Sequence, residues 1–139
     1  KKGFSYSNKL IITPHPGEAA GLLNTSTEDV QNDRYRAARK LNEIYDCIVI
    51  LKGSGTIIYD GATFFTCMDG NHRMAVAGMG DTLAGIILYE LSSQPNLLNA
   101  CIKAVTYHSY SADHLLNIDK KLKYMPSMIP AVYNKLVNP

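Results

Sequence analysis

Cys47-Ile48-Val49-Ile50-Leu51 is the segment that most narrows what this chain can become. It is continuous, rich in β-branched residues, and carries no charged or amide side chain on either alternating face. Such a strand needs cover on both sides, which a central strand of an α/β sheet receives and a half-solvated antiparallel strand does not. Leu10-Ile11-Ile12-Thr13 reads as another buried strand, stopped by Pro14. Thr56-Ile57-Ile58-Tyr59 reads as a further one. Asp60-Gly61 then signals a two-residue hairpin returning through Ala62-Thr63-Phe64-Phe65-Thr66.

Helical patterns occupy the remainder. Pro16 suits a first turn, with Glu18 early in it, and predicts a helix from Pro16 to about Leu23. Ser26-Thr27-Glu28-Asp29 supplies a cap and an acidic first turn for one longer helix to about Tyr45. Val30, Tyr35, Ala38, Leu41 and Ile44 mark its apolar side. The stretch from Asp81 to Leu91 is apolar nearly all round, the pattern of a buried helix. Gln94-Pro95-Asn96 ends that helix and caps the next, which runs to about Leu116. Leu98, Cys101, Val105, His108, Ala112 and Leu115 give it a core-facing stripe. Met125-Pro126-Ser127 opens a last helix to about Val137. This order of strands and helices argues α/β. With so few strands, the first of them at residue 10, the sheet lacks partners for its edges. Residues 1–139 therefore read as a single domain that is partial or leans on another copy, and the exposed sheet edge favours a homo-oligomer.

Bulk properties exclude several roles. The net charge is +2 and no Lys/Arg run exceeds two residues, so a nucleic-acid footprint is missing. No segment approaches the roughly 18 uninterrupted apolar residues of a membrane span. The start, Lys1 to Asn8, is polar and lacks the apolar centre of a signal peptide. Cys47, Cys67 and Cys101 lie far apart without a C-x-x-C pair, which argues against a zinc site or disulfide framework and for reduced thiols in a cytoplasmic protein. No cluster of metal ligands is identifiable.

The chemistry-bearing residues gather in three segments: Thr13-Pro14-His15-Pro16-Gly17-Glu18, Lys52-Gly53-Ser54-Gly55-Thr56 and Ala77-Gly78-Met79-Gly80-Asp81. The first two directly follow strands, and ligands of open α/β sheets collect beyond the carboxyl ends of strands, so these segments are expected to share a crevice. Glycines before a helix free backbone amides for an anion, which the helix dipole also favours. An aspartate among those donors repels phosphate, so its presence points to a base poised beside a site that stabilises phosphoryl charge.

These segments resemble the ADP/ATP-dependent NAD(P)H-hydrate dehydratases, a branch of the ribokinase-like, carbohydrate-kinase-related superfamily. T-P-H-P-G-E-A at Thr13 to Ala19, L-K-G-x-G-T at Leu51 to Thr56 and A-G-M-G-D-x-L-A-G at Ala77 to Gly85 are similar to family motifs. His108 followed by Ala112-Asp113, and the Val137-Asn138-Pro139 ending, are similar as well. The resemblance implies a three-layer α/β/α fold with a mostly parallel sheet and a β-hairpin, of which this chain is the later part. It implies repair of hydrated NADH or NADPH (NAD(P)HX): ADP or ATP phosphorylates the added hydroxyl, and phosphate leaves as the double bond returns. Asp81 would be the base, with the amides of Gly78, Met79 and Gly80 as the anion hole. Gly80 would also touch the nucleotide, whose adenosine-phosphate portion Lys52, Gly53, Ser54, Gly55 and Thr56 would line. His15, with Asp81, would contact the substrate. Mg2+ is expected with the nucleotide, and an NAD(P)HX epimerase as a fused or separate partner.

The chain departs from the family's N-P-G-M at Asn71-His72-Arg73-Met74, a loop near the phosphates in that family. Arg73 there either adds a phosphate contact or faces solvent. His108, on an apolar stripe, is expected to be a hydrogen-bonded core residue, and Asp113 structural. Two other readings stand beside the dehydratase: a ribokinase-like small-molecule kinase for a vitamin precursor or sugar, and a nucleotide-binding fragment without catalysis.

Overall fold

Residues 1–66 and 67–139 form two units, and a computed structural model describes residues 10–121, 123 and 125–137 of them. The polar start at Lys1 to Asn8 and the Asn138-Pro139 ending lie outside the described residues. The first unit runs β1 (Leu10–Ile12), α1 (Pro16–Leu23), α2 (Thr27–Asn32), α3 (Arg34–Tyr45), β2 (Cys47–Leu51), β3 (Thr56–Tyr59) and β4 (Phe64–Cys67), which ends at the boundary. The strands form one sheet in the order β1-β2-β3-β4. β1 and β2 are parallel, with Ile11 opposite Ile48, while β2 and β3 are antiparallel, with Ile50 opposite Ile58. The described sheet is therefore mixed. A parallel pair needs a long crossover, which α1 to α3 provide; the antiparallel pair needs only the short loop at residues 52–55.

β2 is buried along its whole length, as its composition requires. Cys47, Val49 and Leu51 join one apolar cluster with Ala19, Ala20, Val30, Ala37, Ala38 and Leu41 of the helices. Ile48 and Ile50, on the alternate face, are buried too. Each valine, leucine or isoleucine so placed stabilises the fold by roughly 1.5–3 kcal/mol.

Two expectations for this unit need correction. The single helix from Ser26 to Tyr45 is in fact two. Asp33 leaves the helical region (φ −147°, ψ 83°), and its carboxylate accepts from the Arg36 amide at 2.9 Å, capping α3 instead of continuing α2. A short acidic side chain competes in this way with the helix's own backbone bonds. The buried stripe of α3 is Ala37, Ala38 and Leu41, whereas Tyr35 and Ile44 are 47% and 60% exposed. Steps of three residues walk about 60° round a helix, so they drift off a narrow face. The hairpin connection is also longer than the Asp60-Gly61 pair. The Asp60 carboxylate accepts from Ala62 N at 2.9 Å and Thr63 N at 2.8 Å, so β4 starts at Phe64 rather than Ala62.

The second unit holds a 3-10 turn at His72–Met74 and helices α4 (Met79–Ser93), α5 (Leu97–Ile118) and α6 (Met128–Val137). Asn96 caps α5 as expected, its side chain accepting from Asn99 N at 2.9 Å. Cys101, Val105, His108, Ala112 and Leu115 of the predicted stripe are buried. α4 begins two residues earlier than expected and, although apolar nearly all round, is not buried all round. It buries Met79, Leu83, Ile86, Ile87 and Glu90, while Leu88 and Tyr89 are 67% and 50% exposed. Glu90 is fully buried; Tyr133 Oη donates to it, Lys103 Nζ lies 3.0 Å away and Gln94 Nε2 3.3 Å.

The three cysteines are free and buried. Burial, helped by Asp46, pushes the Cys47 thiol up to about 11, and burial pushes Cys101 up to about 12, so both stay protonated. Among the described residues no helix is long and apolar enough to cross a membrane.

Candidate functional site

Because β1 and β2 are parallel neighbours, the loops leaving their carboxyl ends emerge side by side. Lys52 N donates to Pro14 O at 2.9 Å, and Lys52 Nζ lies 3.7 Å from Glu18 Oε2. The Thr13–Glu18 and Lys52–Thr56 segments thus meet, as the sequence predicts. His15 is the N-cap of α1: its Nδ1 accepts from Glu18 N at 3.1 Å, and Glu18 Oε2 accepts from His15 N at 2.6 Å. With Nδ1 accepting, Nε2 carries the proton of the neutral ring, 3.5 Å from Glu18 Oε1. The imidazole is nevertheless 56% exposed. The His15 amide, and then the Lys52 ammonium, hold the Glu18 carboxyl below its usual value against some desolvation. Pro14 and Pro16 on either side limit the backbone freedom of this histidine.

The residue that organises the second of these loops escapes sequence reasoning. Arg34, first residue of α3, donates from Nη1 to Ser54 O and from Nη2 to Leu51 O at 3.1 Å and Lys52 O at 3.4 Å. One signal for it was available. A cation in the first turn of a helix opposes the macrodipole, so its presence there asks for another partner.

In the second unit the glycine motif occupies the start of α4. Gly78 is the N-cap in the left-handed region (φ 86°, ψ −9°), with no side-chain cap. A Cβ there would be strained and would lie 3.3 Å from Pro126 Cγ. By contrast His15, Ser26, Asp33 and Asn96 cap α1, α2, α3 and α5 with their side chains. Met79, Gly80 and Asp81 form the first turn, whose amides have no intrahelical acceptor. The Met79 amide makes a long bond to Val76 O at 3.3 Å. Asp81 is exposed, and Thr82 Oγ1 donates back to Gly78 O at 3.1 Å.

The loop preceding this motif is pinned by Asp113 of α5. Its Oδ2 accepts from Gly70 N and its Oδ1 from Asn71 Nδ2, both at 2.7 Å. Asn71 Oδ1 in turn accepts from Arg73 N at 3.1 Å. Here His72 is exposed and Arg73 half-buried. Replacing Asp113 by Ala removes the acceptor of both these part-buried bonds, and is expected to destabilise the protein by about 2 kcal/mol, read as a lower urea midpoint at unchanged m. Among the described residues no group of three or more His, Cys, Asp or Glu could hold a metal ion.

The profile of the NAD(P)H-hydrate dehydratase family, of carbohydrate-kinase type, matches residues 2–131. The chain belongs to this family. The bifunctional NAD(P)H-hydrate repair enzyme Nnr of Vibrio cholerae is 46% identical over 109 residues, 78% of this chain and 22% of that protein. The ADP/ATP-dependent NAD(P)H-hydrate dehydratase from Bacillus subtilis, co-crystallised with ATP/Mg2+ and soaked with CoA, superposes with a TM-score of 0.79 at 27% identity. That match covers 90% of this chain and 48% of the other. A ribokinase-like superfamily protein from Enterococcus faecalis gives a TM-score of 0.82 at 27% identity, over 97% of this chain and 46% of that one. This NAD(P)H-hydrate dehydratase family chain therefore has a ribokinase-like α/β fold and spans about half the length of the solved structures it matches.

Proposed function

We propose that the protein dehydrates hydrated NADH or NADPH to the reduced dinucleotide, using ADP or ATP as phosphoryl donor. The observation that carries this reading is the start of α4 in a chain of this family: an uncapped helix end, entered through Gly78, with Asp81 in its first turn. Asp81 takes the proton of the substrate's added hydroxyl as that oxygen attacks the terminal phosphorus of the nucleotide. The bond from that phosphorus to its bridging oxygen breaks, and the shortened nucleotide departs. Amides at Gly78, Met79 and Gly80 stabilise the charge on the transferring group. Phosphate then leaves with the electrons of the C–O bond, a proton leaves the adjacent ring carbon, and the C=C bond re-forms. Hydroxide is a poor leaving group and phosphate a good one, which is the reason for the detour.

In this reading His15 contacts the hydrated nicotinamide, and Lys52 to Thr56 line the adenosine-phosphate portion of the nucleotide. Magnesium would accompany the nucleotide's phosphates and neutralise the charge that develops on them. The intact protein, given hydrated NADH or NADPH with ADP or ATP, is expected to restore absorbance at the reduced-nicotinamide band. No restoration with either nucleotide refutes the proposal.

A further inference from the structure

Arg34 spends its charge in an unusual way. Among the described residues no carboxylate is recorded as its ion-pair partner, and its Nε is buried without a hydrogen-bond partner. Its Nη groups go instead to the carbonyls of Leu51, Lys52 and Ser54 in the loop that leaves β2. A Cβ placed on Gly53 would meet Arg34 Nη2 at 2.9 Å, so the guanidinium lies directly against the turn.

The consequence lies on the other side of the peptide planes. In a trans peptide the carbonyl and the following N–H point in opposite directions, and no cis peptide occurs among the described residues. Gathering the carbonyls of Leu51, Lys52 and Ser54 around Arg34 therefore sends the amides of Lys52, Gly53 and Gly55 the opposite way. The Lys52 amide is taken by Pro14 O at 2.9 Å. Gly53 and Gly55 remain, with φ of 148° and 68°, values that side chains disfavour. Gly53 is exposed and Gly55 half-exposed. A cation behind a row of peptide dipoles also strengthens them toward an anion in front.

We propose that Arg34 is a positioning residue: it holds the Lys52–Thr56 turn so that the Gly53 and Gly55 amides are preset to receive a phosphate of the nucleotide. This rests on the nucleotide role given to that loop above. Lysine cannot replace it, because one ammonium point charge lacks the planar fork that reaches three carbonyls at once.

The test is Arg34→Lys in the intact protein, read three ways. Amide exchange at Gly53 and Gly55 without nucleotide is expected to quicken about tenfold, with the rest of β2 and β3 unchanged. The Kd for ADP and ATP by calorimetry, and the nucleotide KM, are expected to rise about tenfold. The kcat and the KM for the hydrated dinucleotide are expected to stay within about twofold, a split that a merely structural loss does not produce. Gly53→Ala, which displaces the guanidinium from the loop side, is expected to weaken nucleotide affinity likewise and serves if the lysine variant does not fold. Unchanged exchange overturns the clamp. Faster exchange with unchanged nucleotide affinity overturns its positioning role. A wild-type protein that binds neither ADP nor ATP refutes the nucleotide reading itself, while the exchange data still report whether the clamp exists.

Discussion

Asp81→Asn is expected to lower kcat about a thousandfold while leaving the Kd for ADP or ATP within about twofold, the signature of a lost general base. The geometry makes this substitution informative. Asp81 stands exposed in the first turn of α4, and Gly78 at the cap has no side chain with which it could form a reciprocal cap. Its structural contribution is therefore limited to its charge near the positive end of the helix dipole, about 0.3–1 kcal/mol. Asparagine keeps the shape and cannot accept the hydroxyl proton. Turnover and nucleotide binding measured on the same preparation separate the two contributions. Unchanged kcat removes Asp81 from the role of base, and a fall in kcat that only tracks a lower Tm makes it a structural residue.

The largest stability effect is expected at Glu90, a residue given no part in the proposed chemistry. Glu90→Ala should destabilise the protein by about 3 kcal/mol, combining a lost buried side chain with an unsatisfied phenol. Lys103 Nζ belongs to a side chain 42% exposed, so that ammonium can turn to water when its partner is removed. Tyr133 cannot, being 5% exposed. Glu90→Gln keeps an acceptor for Tyr133 and fills the same volume, and is expected to recover more than half of the loss. Urea denaturation of the three proteins measures it. A loss below about 1 kcal/mol for the alanine variant means that the charge network gives no net stability.

Much of the architecture was legible because it depends on residues close in sequence. The apolar run at Cys47–Leu51 announced a strand covered on both faces, and it is buried throughout. Ser26 and Asn96 announced helix starts, and both side chains cap as expected. The meeting of the His15 and Lys52 segments followed from a rule about parallel strands and needed no knowledge of side chains. Legibility failed where one residue chose between two local partners. Asp33 could have continued a helix or capped a new one, and Asp60 could have sat in a tight hairpin or bonded its own backbone. In each case both options were open to the sequence, and packing of the neighbouring segments selected one.

The chain's sequence by itself determined its α/β class, the order of its elements apart from the split at Asp33, and its family motifs, and it singled out Gly78 to Asp81 as the segment to which we assign phosphoryl chemistry. The class and the elements rest on periodicity and caps, which act over a few residues, while the motifs carry the family resemblance. Only the tertiary structure decided that Arg34 grips the turn after β2, that Asp113 pins the loop before Gly78, and that Glu90 is wholly buried. Those bonds join residues 17 positions apart for Arg34 with Leu51 and 43 apart for both Asp113 with Gly70 and Glu90 with Tyr133. The physical reason is that a polar side chain's partner is whatever backbone or side chain the fold brings within about 3 Å, and no local pattern records that distance.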